Sequence, residues 1–412
     1  MNIIAVEIGH SRITATAAVR TPEGRLQLIG SDSELTPVGA VKNGQIVRPN
    51  DVVASLNKAL RQLENRLPAG NHITKFYAGI NCRSLSLKQV EVARELDSKK
   101  PIDDDILDDM RNEAFEKIGD DYAVISTSEE FALDLKAVKD PIDKKGNLLN
   151  GNFSLIYAKD DCLKAVNSCK ESMSNFKFLT PIPTPLAVSC ATTSSEDKEA
   201  GCAVLYFGTG CTSVAVYTQG KLVHIGVVPL GRKHIVADLT TLGVNEKTAE
   251  SLITYWGQNF DKKVSKSDRL KLPNDENGNE RLLSLSDMIN ICNARFNEIV
   301  AYAMQQVQNA VNDVSELEAG IIASGKLMQI SNANELLEKS SGMRARIGDF
   351  SQHIEKNNDS CRHLTAQTIG LLLMGNENCF EEKVQEPKKP SGKKGGKDGF
   401  IKAINNLFGS VN

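Results

Sequence analysis

The chain opens with a hairpin pattern: residues 2–19 read NIIAVEIGHSRITATAAV. Residues 2–9 are mostly apolar and predict a buried strand, which ends in a tight polar turn at Glu7–Ser11. Residues 12–19 alternate between apolar and polar side chains, as expected for the second strand of a hairpin. The first twenty residues therefore predict two paired strands joined by a short turn of small and polar residues.

A third strand and a helix follow this hairpin. The turn Thr21–Gly24 leads into a strand-like segment, Leu26–Ile29. Asp51 then has the position of a helix cap, and apolar residues recur at helical spacing from Val52 to about Leu67. The predicted order of this half is strand, turn, strand, turn, strand and helix.

The same order recurs about two hundred residues later. Residues 201–207 are strand-like and end in a second turn of small residues, Gly208–Ser213. Residues 214–218 and 222–228 predict two further strands, and a helical run begins at Arg232. Two hairpin tips of this kind, facing each other across a cleft, bring backbone N–H groups close to phosphate oxygens. The repeat therefore predicts two lobes that clamp a nucleotide.

Other segments interrupt or extend the two halves. Residues 83–160 predict a separate α+β unit with a charged helix, Asp103–Ile118, and strands at Tyr122–Ser126, Phe131–Leu135 and Phe153–Ala158. Residues 265–281 are rich in Lys, Asp, Asn and Gly and predict an exposed loop. A long helix, Leu285–Val314, follows that loop, and Glu318–Lys326 predicts a strand that ends in a third turn of small residues.

The C-terminal residues 399–412 form an amphipathic pattern. Apolar side chains recur at helical spacing and form one stripe, made of Phe400, Ile401, Ile404, Leu407, Phe408 and Val411. The preceding residues 381–398 are charged and rich in lysine, which predicts a linker. The stripe fits a membrane surface or a partner groove, and the alternative is a tail that folds back on its own domain. Nearby lysines favour an anionic bilayer, and the segment is too short to span one.

Composition limits the classes of function. The 412 residues carry a net charge of −3, which gives no electrostatic basis for binding nucleic acid. The first residues run directly into a strand, so we expect no signal peptide. The nine cysteines show no CxxC pairing. They fit reduced thiols in a cytoplasmic protein, and no metal site is predicted from them.

In their order along the chain, these segments resemble FtsA, the bacterial actin-like family that tethers the division ring to the cytoplasmic membrane. Residues 4–13 resemble its first phosphate motif, and residues 41–47 its glycine-containing segment before the first helix. Residues 204–216 resemble the second phosphate motif, and residues 320–325 the adenosine motif. The tail at 399–412 resembles the membrane-targeting helix of the family.

The resemblance implies an α/β fold of two actin-like lobes, a duplicated ribonuclease H-like arrangement. The expected domains are a first lobe of residues 1–82 and 161–200, an inserted α+β subdomain of residues 83–160, a second lobe of residues 201–378 with residues 241–318 as its outer subdomain, a linker of residues 379–398 and an amphipathic helix of residues 399–412.

The resemblance also implies a nucleotide site, and the sequence departs from the family there. The expected site residues are Glu7, Gly9, Ser11, Arg12, Gly208, Thr209, Gly210, Gly325 and Lys326. Tyr206 and Ser213 stand where the family has aspartates, and Lys326 replaces the second residue of a Gly-Gly pair. Losing the upstream carboxylate removes an anchor for hydrated Mg²⁺. We therefore expect weak or altered binding of ATP and Mg²⁺, little hydrolysis and no catalytic residues.

The partners follow from the same resemblance. Arg295, Asn297 and Glu298 on the long helix resemble the segment that receives the C-terminal peptide of FtsZ, the tubulin-like ring protein. Phe400, Ile401, Ile404, Leu407 and Phe408 would hold an anionic membrane. The implied protein is a self-associating adaptor at the division site, on the cytoplasmic face of the membrane, which also meets other division proteins. The alternatives are another actin-like scaffold, similar to PilM, or an ATPase of the actin/DnaK/sugar-kinase superfamily.

Overall fold

A computed structural model describes residues 1–68, 70–273, 281–355 and 364–381. The first elements along the chain form most of one sheet, a small hairpin and a covering helix. They are β1 (Asn2–Ile8), β2 (Arg12–Arg20), β3 (Leu26–Leu35), β4 (Val41–Lys42), β5 (Gln45–Ile46), α1 (Pro49–Arg66) and β6 (Lys75–Ile80). Strand β1 pairs antiparallel with β2 and parallel with β6, and β2 pairs antiparallel with β3. Helix α1 buries its apolar face, including Val52, Leu56 and Leu60, in the core of this lobe.

The next elements form a separate sheet with a core of its own. They are β7 (Ser86–Glu95), α2 (Asp104–Glu116), β8 (Tyr122–Leu133), β9 (Lys136–Val138) and β10 (Leu148–Lys159). The strand order is β7-β10-β8-β9, and every pairing is antiparallel. Met110 and Ala114 of α2 pack with Phe131, Leu149 and Phe153 of the sheet. One face of the sheet and one face of α2 are apolar and are buried against each other, so this α+β unit has a core of its own.

The chain then returns to the first lobe and passes into the second. The returning elements are α3 (Asp160–Ser172), β11 (Lys177–Phe178), β12 (Ile182–Pro183), α4 (Thr184–Thr192) and the short α5 (Ser195–Glu199). Strands β11 and β12 pair in parallel with β6, so the first sheet has the order β11-β6-β1-β2-β3 with β12 also on β6.

The second lobe repeats the first sheet. Its elements are β13 (Cys202–Phe207), β14 (Thr212–Thr218), β15 (Lys221–Val228), α6 (Arg232–Thr240), α7 (Glu246–Gly257), β16 (Arg269–Leu272), β17 (Arg281–Ser284), α8 (Leu285–Ala310), β18 (Ile321–Ser324), α9 (Ala333–Ser341) and β19 (Ala345–Ile347). The strand order is β15-β14-β13-β18-β19. Strand β13 pairs antiparallel with β14 and parallel with β18, just as β1 pairs with β2 and β6. The duplication predicted from the two hairpin patterns is present in the strand pairing.

The last described helix, α10 (Ala366–Met374), belongs physically to the first lobe. It packs on α4, β1 and β6, and the Cys379 N–H donates to the carbonyl of Asn2 at 2.9 Å. Cys379 and Phe380 are buried in the same core. We expected residues up to 378 to belong to the second lobe and the linker to begin at 379. Both assignments are wrong for residues 366–381, because an apolar helix does not reveal locally which sheet it covers.

Several element bounds also differ from expectation. Strand β3 continues to Leu35, β8 is one strand where two were expected, and the long helix ends at Ala310. Part of the expected loop 265–281 is strand β16, which pairs with β17. Across the described ranges, no helix combines the length and the apolar character needed to cross a bilayer.

Candidate functional site

The two hairpin tips have the same local geometry. The Gly9 N–H donates to the Arg12 carbonyl at 2.9 Å, and the Gly208 N–H donates to the Cys211 carbonyl at 3.0 Å. A Cβ atom would lie 2.6 Å from the carbonyl oxygen of Arg12 at Gly9, and 2.8 Å from that of Cys211 at Gly208. Both turns therefore require glycine at their first position, since a side chain there would collide with backbone.

The tips face each other across a cleft of about 810 Å³ between the lobes. A Cβ atom at Gly210 would lie 3.3 Å from Cβ of His10, which shows how closely the tips approach. Eight of the nine predicted nucleotide residues line this cleft, namely Glu7, Gly9, Ser11, Arg12, Gly208, Thr209, Gly210 and Lys326. The ninth, Gly325, precedes Lys326 at the end of β18 and has φ +104°. The structure thus brings together residues that are more than three hundred positions apart in sequence.

Glu7, at the end of β1, is held by three hydroxyl groups. Tyr206 donates to Oε1 at 3.3 Å, while Thr365 and Thr368 donate to Oε2 at 2.7 and 3.3 Å. Thr365 also caps α10, since its hydroxyl oxygen accepts from the Thr368 N–H at 3.0 Å. Both carboxylate oxygens are therefore engaged by protein side chains from the other lobe and from the N-terminus of α10.

Tyr206 stays protonated in this setting. Burial raises the pKa of Tyr206 well above its ordinary value, and the neighbouring Glu7 carboxylate raises it further. The phenol is therefore a neutral hydrogen-bond donor to Glu7 throughout the physiological pH range.

A second bridge joins the lobes beside the first. The Asn81 side-chain amide donates to Ser213 Oγ at 2.9 Å, and the two side chains have a second contact at 3.2 Å between Ser213 Oγ and Asn81 Oδ1. Asn81 follows β6 in the first lobe, and Ser213 lies on β14 in the second. Sequence reasoning missed Asn81, Thr365 and Thr368. Only Thr365 carried a local signal, a threonine directly before an apolar helical run.

The cleft fits a nucleotide better than it fits a metal ion. Its volume is in the usual range for small-molecule sites, and two glycine turns expose backbone to it. Magnesium prefers carboxylate and water oxygens, but both oxygens of Glu7 are already hydrogen-bonded. Asp32, the other carboxylate on the cleft wall, forms an ion pair with Arg66 at 2.8 Å. Within the described residues, no group of three His, Cys, Asp or Glu side chains is placed to hold a metal. The residues present therefore do not fit Mg²⁺.

Two exposed cations lie at the rim of the cleft. Arg12 donates to Ser33 Oγ at 3.1 Å, and Lys326 begins the 3₁₀ turn Lys326–Gln329. His10, at the first tip, has Nδ1 2.8 Å from the carbonyl oxygen of Val41, and burial lowers its pKa. Arg12 and Lys326 thus offer positive charge to phosphate oxygens, whereas burial disfavours the charged form of His10.

A smaller groove of about 390 Å³ lies on the second lobe between α6 and α8. Arg295 sits in it and is bonded to Asp238 at 2.6 Å and 3.1 Å, and also to Glu298. Ile291, Ala294 and Thr241 complete the lining. The hydrogen bonds that Arg295 donates to Asp238 raise the pKa of Arg295, so the guanidinium is a permanent cation between two carboxylates.

Asn297 lies apart from this groove. Its side-chain oxygen accepts from the Ser340 hydroxyl at 2.7 Å, which places it towards α9. Residues two apart on a helix point in different directions, whereas Arg295 and Glu298 are three apart and share a face. The structure therefore brings together two of the three residues predicted for the FtsZ peptide. The predicted membrane residues Phe400, Ile401, Ile404, Leu407 and Phe408 lie outside the described residues.

Comparison with known proteins gives a consistent result. A model of the family described as cell division protein FtsA matches residues 203–366. Cell division protein FtsA of Porphyromonas gingivalis is 24% identical over 396 residues, which cover 92% of this chain and 80% of that protein. Cell division protein FtsA of Escherichia coli K12 is 21% identical over 416 residues, which cover 98% and 96%. The resemblance to FtsA is confirmed.

The fold has a solved counterpart as well. The PilM–PilN type IV pilus biogenesis complex matches with a TM-score of 0.56 and 14% identity, and the match covers 90% of this chain and 97% of that one. At this identity the likeness concerns the fold alone. With the duplicated strand pairing, it confirms the predicted two-lobed actin-like fold.

Proposed function

We propose that this FtsA-like chain is a cell division adaptor that holds FtsZ at the cytoplasmic face of the membrane at the division site. The observation that carries the proposal is similarity to cell division protein FtsA over more than nine tenths of the chain. In this role the protein self-associates, meets other division proteins and has no catalytic duty. The proposal assigns no role to nucleic acid.

The groove of Arg295 is the proposed site for the FtsZ C-terminal peptide. An extended or helical peptide can lay apolar side chains on Ile291 and Ala294 while a carboxylate approaches Arg295. Arg295 already has two carboxylate partners, Asp238 and Glu298. An acidic peptide therefore binds by replacing one of them, and Glu298 is the more exposed of the two. Partner exchange of this kind predicts modest affinity for a single peptide.

The amphipathic tail is the proposed membrane anchor. The stripe of Phe400, Ile401, Ile404, Leu407 and Phe408, preceded by lysines, has the composition of a helix that lies in the interface of an anionic bilayer. One short helix holds weakly, whereas a row of associated subunits holds firmly because each later contact is intramolecular. Self-association thus compensates for weak individual binding to FtsZ and to lipid.

The cleft is proposed to bind ATP weakly, with little or no hydrolysis. The glycine tips and the rim cations Arg12 and Lys326 support contact with phosphates. Glu7 is unsuited to orient a metal-bound water, because both of its oxygens accept hydrogen bonds from the protein.

The direct test is sedimentation of FtsZ with anionic liposomes. Full-length protein is compared with a chain that stops after Glu386, each with and without Mg-ATP. We expect full-length protein to bring FtsZ into the pellet and the shortened chain to leave it in solution. Leu407→Asp in the apolar stripe should behave like the shortened chain, whereas Asn406→Asp, on the opposite side of the predicted helix, should retain more than half of the pelleted FtsZ.

Two variants of helix α8, one in the groove and one outside it, test whether the groove binds the FtsZ peptide. Arg295→Ala removes the cation, and we expect the FtsZ peptide to bind at least about tenfold more weakly in a fluorescence anisotropy titration. Asn297→Ala changes the same helix on another face and should leave the affinity unchanged. Equal losses in both variants would argue against the groove. If FtsZ stays in solution with full-length protein, an actin-like scaffold of another kind or an ATPase becomes the better account.

A further inference from the structure

Two hydroxyl residues, Tyr206 and Ser213, stand directly opposite each other on β13 and β14. Each makes a hydrogen bond across the cleft, Tyr206 to Glu7 and Ser213 to Asn81. Two neighbouring positions of the second sheet therefore both bond to the first lobe. Both contacts lie at one cross-strand pair, so the second sheet is bonded to the first lobe twice at a single register position.

The chemistry at position 206 decides what else the cleft needs. The Tyr206 phenol, on a residue that is 6% exposed, reaches Oε1 of Glu7 at 3.3 Å, whereas the shorter side chain of an aspartate at this position would leave a gap in front of the Glu7 carboxylate. Two carboxylates on either side of such a gap repel each other, and a cation between them relieves the repulsion. The Tyr206 phenol is neutral and supplies a proton of its own, so no cation is required. Ser213 is likewise neutral and bonds to a neutral amide.

We propose that Tyr206 and Ser213 form a latch that holds the two lobes together through side-chain hydrogen bonds, in place of a divalent cation bound between Glu7 and a nucleotide. The closed cleft then depends on neither Mg²⁺ nor ATP. Thr365 and Thr368 lie at the start of α10, in the first lobe, and hold the second oxygen of Glu7, so they position the carboxylate that Tyr206 contacts. This property goes beyond the tether and needs neither FtsZ nor lipid.

The test is hydrogen–deuterium exchange of the full chain, measured by mass spectrometry in EDTA and in Mg-ATP. The peptides to follow cover the two tips and the start of α10, around residues 7–13, 206–213 and 365–370. In the unaltered protein we expect their exchange rates to differ by less than about twofold between the two buffers, because the latch already holds the cleft. Tyr206→Phe removes only the hydroxyl group. It should raise exchange at these peptides in EDTA by about fivefold, the factor that one net hydrogen bond of about 1 kcal/mol provides.

Tyr77→Phe is the matched control. Tyr77 is also buried, and its hydroxyl donates to Asn376 at 2.8 Å and accepts from the Asn376 and Glu377 N–H groups. These bonds stay within the first lobe. Their loss should therefore not raise hydrogen–deuterium exchange at the hairpin tip of the second lobe. Ser213→Ala is a smaller change and should also raise exchange at the tips. It tests the latch if Tyr206→Phe folds poorly.

Tyr206→Asp tests the charge argument. It removes the hydroxyl bond and places a second carboxylate on the side of the cleft that faces Glu7, so we expect Mg²⁺ to lower exchange at the tips of this variant by about fivefold. The latch is refuted if Mg-ATP protects the tips of the unaltered protein by more than about twofold. It is also refuted if Tyr206→Phe has no greater effect than Tyr77→Phe, or if Tyr206→Asp does not respond to Mg²⁺. Since the test contains no FtsZ and no membrane, its outcome is independent of the sedimentation experiment.

Discussion

The crossing of α10 over α4 allows a sharp prediction about Gly370. An added Cβ atom at this position would lie 1.7 Å from the carbonyl oxygen of Ala187 and 2.3 Å from its carbonyl carbon. Both atoms belong to the backbone of α4, so no rotamer change can relieve the contact. To restore a separation of 3.0 Å, the helices must move apart by about 1.3 Å. Gly370→Ala therefore disturbs the whole crossing and not only one side chain.

The magnitude follows from two opposing effects. Overpacking against buried backbone costs about 3 kcal/mol, at the upper end of the usual range. Alanine in a helix interior returns about 1 kcal/mol relative to glycine. We expect Gly370→Ala to lower the free energy of unfolding by about 2 kcal/mol. Because Thr365 and Thr368 start the same helix, the displacement should also loosen their bonds to Glu7.

Urea denaturation followed by circular dichroism measures this change. Gly24→Ala is the control, because Gly24 has φ +85° in a turn where an added Cβ meets nothing within 4 Å. Its cost should be about 1 kcal/mol, from backbone conformation alone. Ala187→Gly should not rescue Gly370→Ala, since the colliding atoms are backbone. If Gly370→Ala proves as stable as the unaltered protein or more so, the steric argument is refuted.

Three further predictions concern other parts of the molecule. Arg111→Met should destabilise the inserted unit by about 2 kcal/mol in urea, because it breaks bonds of 2.7 and 2.8 Å to the largely buried Glu129, which is left unpaired. Burial lowers the pKa of His224 below 6.5, so its charged form is disfavoured in the folded protein. The free energy of unfolding should thus keep its full value above pH 6.5 and fall as the pH drops below 6.5, with a smaller slope in His224→Gln. Phe296→Ala should cost about 3–4 kcal/mol and alter the fluorescence of Trp256, whose ring centroid lies 5.6 Å away and which is the only tryptophan of the chain.

The sequence predicts the hairpin elements well because their signals are local. The strands around Glu7 and Gly208 show apolar runs that end in small-residue turns, and both tips are found at the expected positions. Strand β3 was predicted too short because its second half, Gly30–Leu35, is polar. That half is held by pairing with β2, which the sequence does not display. The sequence predicted two strands in place of β8 for the same reason. The middle of β8 is polar and includes Glu129, the partner of Arg111.

The contacts that determine the chemistry of the cleft are not local. Glu7 and Tyr206 are 199 positions apart, and Glu7 and Thr365 are 358 apart. No periodicity connects them, so the sequence indicated the departure at Tyr206 but not what the phenol bonds to. The return of α10 to the first lobe was missed in the same way. Its apolar character predicts burial, and only the folded chain shows that the burial is against α4.

The proposed tethering role requires different features of this chain from those that nucleotide binding in the cleft requires. The tether needs one groove, one membrane anchor and a body that keeps them in a fixed relation. A latch of neutral hydroxyl groups supplies such a body without a bound cofactor, and a rigid body loses less conformational freedom when subunits associate. On this reasoning, replacing carboxylates at 206 and 213 by hydroxyls need not impair the proposed adaptor. In the proposed adaptor it would instead remove the nucleotide as a control over the relation of the two lobes.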